Sequence, residues 1–137
     1  MQVTKGGHYL AYVLDAECRE ELLQLFPPRH EESICHHVTI QFIIRDERIN
    51  DLQKLVDRNP KMEISGLVES DTIDFFLVLV DGEQIETDQS FTHLTYSRKA
   101  TARNRDSSRV IKGELEHTAI RAARAPLRGR FELVLQY

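Results

Sequence analysis

Two copies of a His-x-Thr tripeptide, His37-Val38-Thr39 and His93-Leu94-Thr95, sit in apolar, β-prone surroundings. Side chains alternate across a strand, so His37 and Thr39 would share one face, as would His93 and Thr95, with Val38, Ile40, Leu94 and Tyr96 turned away. Each strand then presents an imidazole beside a hydroxyl. Across a cleft, two such pairs suit phosphodiester cleavage: a neutral imidazole takes a proton from water or a ribose hydroxyl while a protonated one gives its proton to the leaving oxygen. The threonine hydroxyls can donate hydrogen bonds to the non-bridging oxygens, where negative charge builds. This scheme requires no metal and no cofactor. A lone His-x-Thr is a weak signal, but each copy here follows an apolar strand that ends in an acidic turn, residues 12–17 (YVLDAE) and 77–83 (LVLVDGE).

The elements that must hold these residues can be read from apolar spacing and turn chemistry. Residues 8–14 (HYLAYVL) suit a strand after a Gly6-Gly7 turn, and Asp15 suits the N-cap of an amphipathic helix over 16–26 stopped by Pro27-Pro28. After a polar loop at 29–33, residues 34–44 (ICHHVTIQFII) predict a second strand, and 48–58 a helix that ends near Asn59-Pro60. Residues 62–69 predict a strand with a Gly bulge, 72–80 a buried strand closed by an Asp81-Gly82 turn, 91–97 an alternating strand and 130–137 a closing one. Residues 98–109 are polar and basic, and 110–125 are weakly helical. The fold class is α+β, with more sheet than helix.

At 137 residues, with 41% hydrophobic and 29% charged residues, the chain can close one core and is expected to form a single domain over 1–137. Its longest apolar run, residues 75–80 (FFLVLV), is far short of the roughly 20 residues of a membrane span, and the first residues make a poor secretory signal. Two cysteines, Cys18 and Cys35, form no disulfide framework. A cytoplasmic protein without a membrane partner is expected. The net charge of −4 conceals an asymmetry, because residues 1–97 carry a net −10 and residues 98–130 a net +7. A basic block of that kind can meet a polyanion.

The sequence resembles the two-histidine (2H) phosphoesterases, named for paired His-x-Thr/Ser motifs. Within that superfamily it is similar to the cyclic phosphodiesterase domain of fungal and plant tRNA ligases. The likeness rests on residues 36–42 (HHVTIQF), 64–82, 91–108 (FTHLTYSRKATARNRDSS) and 126–134 (PLRGRFELV), and spans about residues 8–135. It implies two pseudo-symmetric lobes of antiparallel sheet with flanking helices around a central groove. It implies further that His37 and His93 are the catalytic acid/base pair and that Thr39 and Thr95 bind the phosphate. The expected enzyme opens a 2′,3′-cyclic phosphate at an RNA end to a 2′-phosphate, with His93 activating water and His37 protonating the departing O3′. With no GxxxxGK[ST] loop for a kinase and no room for a nucleotidyl transferase, the chain is not expected to seal RNA by itself, so an RNA ligase or kinase of the same pathway is an expected partner. Two other readings remain: hydrolysis of cyclic oligonucleotide signals, as in some phage members of the superfamily, and a non-catalytic RNA-binding module.

The remaining candidates follow from position. Arg98, Lys99 and Arg103 leave the second motif and are expected to bind substrate phosphates, with Arg105, Arg109, Asn104, Ser107 and Ser108 along an RNA backbone. Tyr12, on the same strand face as His8, is a further substrate-binding candidate, and Tyr9 and Tyr96 are either stacking groups or core. His36 is expected to face away from Cys35 and His37, which makes a metal site improbable there, and His30 and His117 are expected to be exposed and idle.

Overall fold

A computed structural model of the chain describes residues 1–5, 8–87 and 90–135. The Gly6-Gly7 turn and the last two residues of the expected closing strand lie outside that set. The aromatic and β-branched segment after the turn forms β1 (His8–Leu14), and Asp15 takes an extended N-cap conformation ahead of α1 (Ala16–Leu25). The chain then runs through the two-residue β2 (Glu32–Ser33) into β3 (His37–Gln41), α2 (Asp46–Arg58), β4 (Met62–Glu69) and β5 (Ile73–Val80). Asp81 and Gly82 both have positive φ, 51° and 83°, as a two-residue hairpin turn of the right twist demands. The second motif opens β6 (His93–Arg98), followed by α3 (Asp106–Ile111), β7 (Ala119–Pro126) and β8 (Gly129–Leu135).

All pairings are antiparallel and join one sheet in the order β7-β4-β5-β6-β3-β1-β8, with β2 beside β6. The two motif strands are neighbours at its centre. One sequence expectation fails: residues 119–126, within the stretch read as weakly helical, form β7, because pairing along β4 from Glu69 to Glu63 overrides local propensity. The strand expected over 34–44 is shorter, since Cys35 adopts a left-handed φ of 42° and interrupts it. The expected bulge at Gly66 is present, as a register shift between Ile64 and Gly66 against both neighbouring strands.

Alternation sorts the two faces. Val38, Leu94, Tyr96, Phe76 and Val78 bury against Cys18 and Leu22 of α1 and Leu52 and Leu55 of α2, forming the main core. Each large side chain buried there contributes roughly 1.5 to 3 kcal/mol. The opposite face carries the motif side chains and a smaller apolar group, Val68, Ile73, Phe75 and Val110, under α3. Among the described residues, two helices thus back the sheet, and α3 lies on the motif face. At its far edge β8 packs closely on β1: a Cβ on Gly129 would lie 2.0 Å from the Val13 carbonyl oxygen, so only glycine fits. Among the described residues no helix is long and apolar enough to cross a membrane.

Candidate active site

Val38 lies opposite Leu94 in the antiparallel register of β3 and β6. One step further along each strand come Thr39 and His93, which line the same cavity. On the other side the strands are out of step. Cys35 N–H donates to the Thr95 carbonyl at 3.0 Å while Val38 pairs with Leu94, so three residues of one strand are matched by a single step of the other. His36 and His37 are the excess, and the left-handed Cys35 is where it enters. Bulges of this type re-aim side chains, and here the simple alternation expected at His36 breaks down. Instead of facing away, His36 turns its Nδ1 to within 2.9 Å of His37 Nδ1.

His37, Thr39, His93 and Thr95 all line one cavity of about 430 Å³. Phe91 fixes His93: its carbonyl accepts a hydrogen bond from Nδ1–H at 2.8 Å, so the neutral ring carries its lone pair on Nε2. Phe75 packs edge-on against the same ring, with centroids 5.7 Å apart. Burial lowers the His93 pKa, opposed by the bond to Phe91. Burial also holds His37 down, to about 4 against the usual 6.5, with the His36 and His93 rings pushing the same way. Both imidazoles are therefore neutral at pH 7.

The threonines differ in support. Thr95 is nearly buried, and its Oγ1 lies 3.0 Å from Ser107 Oγ on α3, a contact in which either hydroxyl can donate. Thr39 stands between β1 and β6 with Ala11 as its β1 neighbour. The small side chain leaves the hydroxyl room to reach the cavity.

The basic segment contributes by a different set of residues than expected. Asn104, Arg105 and Ser108 line the cavity, whereas Arg98, Lys99 and Arg103 do not. Arg98 has the parity of Leu94 and Tyr96, pairs with Glu32 at 3.2 Å and donates to the Ala102 carbonyl. Lys99 is exposed and held by its backbone N–H to Thr72, and the Arg103 N–H donates to Asp106 Oδ2. Ser107 is fully buried on Thr95 and cannot meet an RNA backbone. Arg98, Arg109, Arg121, Arg128 and Arg130 each pair with a carboxylate, so much of the positive block is neutralised within the fold.

Tyr12 is not brought to the cavity either. Its ring packs edge-on against Phe131 in the main core and its hydroxyl donates to the Leu127 carbonyl. The tyrosine on the motif face is Tyr9, stacked on Phe42 with centroids 5.6 Å apart and tilted against His37 at 5.8 Å. Phe42 reaches that face because Leu10 pairs with Gln41 but Ala11 with Thr39, a slip that buries both Ile40 and Gln41. No sequence pattern announced that slip. Tyr96 is core, donating to the carbonyls of Leu22 and Phe26.

His30, expected to be exposed and idle, is instead half-buried, with its side chain only 7% exposed. Its Nε2 sits 3.2 Å from Asp74 Oδ1, beside an Arg29 fork that donates to both Asp74 oxygens at 2.9 Å. Glu69 completes this group, with Arg29 at 2.7 Å and Arg121 at 2.9 Å. These side chains pin the loop after α1 to the ends of β4 and β5, outside the cavity. No family model, curated protein or solved structure matches the chain.

Proposed function

We propose that the chain is a metal-independent phosphodiesterase of the two-histidine kind that opens an RNA-terminal 2′,3′-cyclic phosphate to a 2′-phosphate. The observation that carries this reading is that both His-x-Thr pairs line one cavity, on strands that are neighbours in the sheet. In this reading the sheet divides at the β3 and β6 seam into two pseudo-symmetric lobes, each bringing one imidazole and one hydroxyl to a central groove.

The roles follow from hydrogen bonding. His93 is the base, because its Nδ1–H is committed to Phe91 and its Nε2 is left to accept. It takes a proton from water as the oxygen of that water bonds to phosphorus and the bond to O3′ breaks. His37 gives the proton that O3′ takes up. Thr39 and Thr95 donate to the non-bridging oxygens, and Arg105, on the cavity wall, offsets the phosphate charge. The stacked pair Tyr9 and Phe42 offers an aromatic surface for the terminal base. An entering anion favours a cation beside it, so substrate binding draws a proton into a site whose imidazoles start neutral.

The test is hydrolysis of nucleoside 2′,3′-cyclic phosphates in EDTA, with the product isomer identified. His37→Ala and His93→Ala should each lose about 10² to 10⁴ in rate. Full activity in either variant removes that histidine from the mechanism. Turnover of cyclic di- or trinucleotides in place of the 2′,3′-cyclic substrates would move the assignment to cyclic oligonucleotide hydrolysis.

A further inference from the structure

The His36 and His37 rings meet nearly at right angles, with Nδ1 to Nδ1 at 2.9 Å, although neighbouring strand residues ordinarily point apart. The register excess at Cys35 builds this contact. A bond between two Nδ1 atoms holds a single proton, so one ring donates and the other accepts. Which ring donates decides what His37 presents to the cavity. If His37 gave its Nδ1–H to His36, its neutral form would offer only a lone pair on Nε2, the same as His93, and the site would hold two bases and no acid. If His36 donates, neutral His37 carries its proton on Nε2, complementary to His93.

We propose that His36 is a positioning and proton-relay residue for His37: its Nδ1–H fixes His37 as the Nε2–H tautomer and refills it during turnover. This rests on the reaction proposed above and adds to it a third histidine. The step balances as follows. Water gives a proton to His93 Nε2 as its oxygen bonds to phosphorus; the bond from phosphorus to O3′ breaks, and O3′ takes the Nε2 proton of His37. The Nδ1 of His37 takes the Nδ1 proton of His36, which begins as imidazolium and ends neutral with its remaining proton on Nε2. One positive charge leaves His36, one appears on His93, and His37 is neutral before and after. His36 suits the cationic part because it is exposed and its charge is hydrated, whereas His37 lies in the cavity wall. Once the product leaves, His93 gives its proton to solvent, and a proton taken up from water at His37 Nε2 sends the Nδ1 proton back to His36, which restores the starting charges and tautomers.

The experiment combines imidazole ¹⁵N NMR of the substrate-free protein with steady-state kinetics on a nucleoside 2′,3′-cyclic phosphate. In wild type, neutral His37 should be the Nε2–H tautomer. His36→Ala should lose that preference and lower kcat about 10- to 100-fold with KM within about twofold, the size typical of partners that orient a reacting imidazole. His36→Asn keeps a donor for His37 Nδ1 but has no proton to pass on, so it should retain the tautomer and still show the reduced kcat. It also covers the case in which the alanine variant does not fold. A wild-type His37 found as Nδ1–H, or a His36→Asn enzyme with wild-type kcat, would overturn the relay. Wild type inactive on every cyclic phosphate would overturn the reaction itself, whereas an active wild type with unaffected His36 variants would overturn the relay alone.

Discussion

Ser107 Oγ stands 3.0 Å from Thr95 Oγ1, and both residues are buried, so α3 is tied by a hydroxyl pair to the strand that carries the second motif. A threonine that accepts from Ser107 has its own O–H free to donate toward a phosphate in the cavity. Ser107→Ala should remove that bias and cost about 1 kcal/mol of stability, the usual worth of one buried hydrogen bond. Activity should fall roughly fivefold, the same free energy expressed as a rate, and less than in Thr95→Val. Denaturation midpoints and kcat for both variants check this, and equal losses of activity would show that Thr95 does not act through its proton.

Stability should depend on His37 with a definite sign. Its folded-state pKa of about 4 lies below the unfolded value of 6.5, so above pH 6.5 both states are neutral and nothing is lost. Between 6.5 and 4 the unfolded chain takes a proton that the folded chain resists, so stability falls as pH falls, by up to about 1.4 kcal/mol per unit for one proton. His93, shifted in the same direction, adds to the slope. Urea titrations at pH 7, 5.5 and 4.5 should show a flatter profile for His37→Ala than for wild type. Parallel profiles would contradict the assignment.

Charge reversal separates the two arginines of the basic loop. Arg105 lines the cavity and Arg103 does not, so Arg105→Glu should raise KM for a cyclic phosphate by about tenfold, the scale of one hydrogen bond to a charged group. Arg103→Glu, at an exposed residue off the cavity wall, should change KM by less than about twofold at 0.15 M salt, because charges in solvent are strongly screened. Equal effects would mean that the loop acts through its summed charge.

The carboxylate of Asp74 is only 2% exposed and accepts from Arg29 and His30 and from the Ser70 N–H. Asp74→Ala removes the acceptor these donors share, although Arg29 keeps Glu69 and the Ser70 carbonyl, and should destabilise the fold by about 2 to 3 kcal/mol, below the range for a fully buried pair because Arg29 is 42% exposed. Since no member of the cluster lines the cavity, kcat measured well below Tm should be preserved. A parallel loss of kcat would link this loop to the site.

Much of this arrangement is legible in the sequence. The aromatic and β-branched composition of β1, the apolar run of β5, the alternation of β6, the helical spacing of Leu22 in α1 and the Asp81-Gly82 turn are local signals, and each element stands where those signals put it. The four motif residues share a cavity, as their alternation on two strands allowed. What alternation could not anticipate are the two departures from it. The left-handed Cys35 and the slip at Ile40 and Gln41 depend on cross-strand pairing, which is not encoded in residues next to one another. They bring His36 against His37 and Phe42 against Tyr9. Tyr12 departs from expectation for a related reason: it shares the parity of Leu10 and Leu14, and that face is the one α1 and α2 cover. The basic residues were misjudged because linear charge says nothing of which carboxylate each arginine meets.

Gly129 lies two strands from the chemistry, yet it bears on it through a short mechanical chain. The hydrogen in place of a side chain lets β8 settle against the Val13 carbonyl, and Val13 is the β1 partner of His37. Any side chain at 129 would have to lever β1 outward, and the strand it would disturb is the one that pairs with His37. The tolerance of the site is therefore set partly at the sheet's rim, by an atom the chain leaves out.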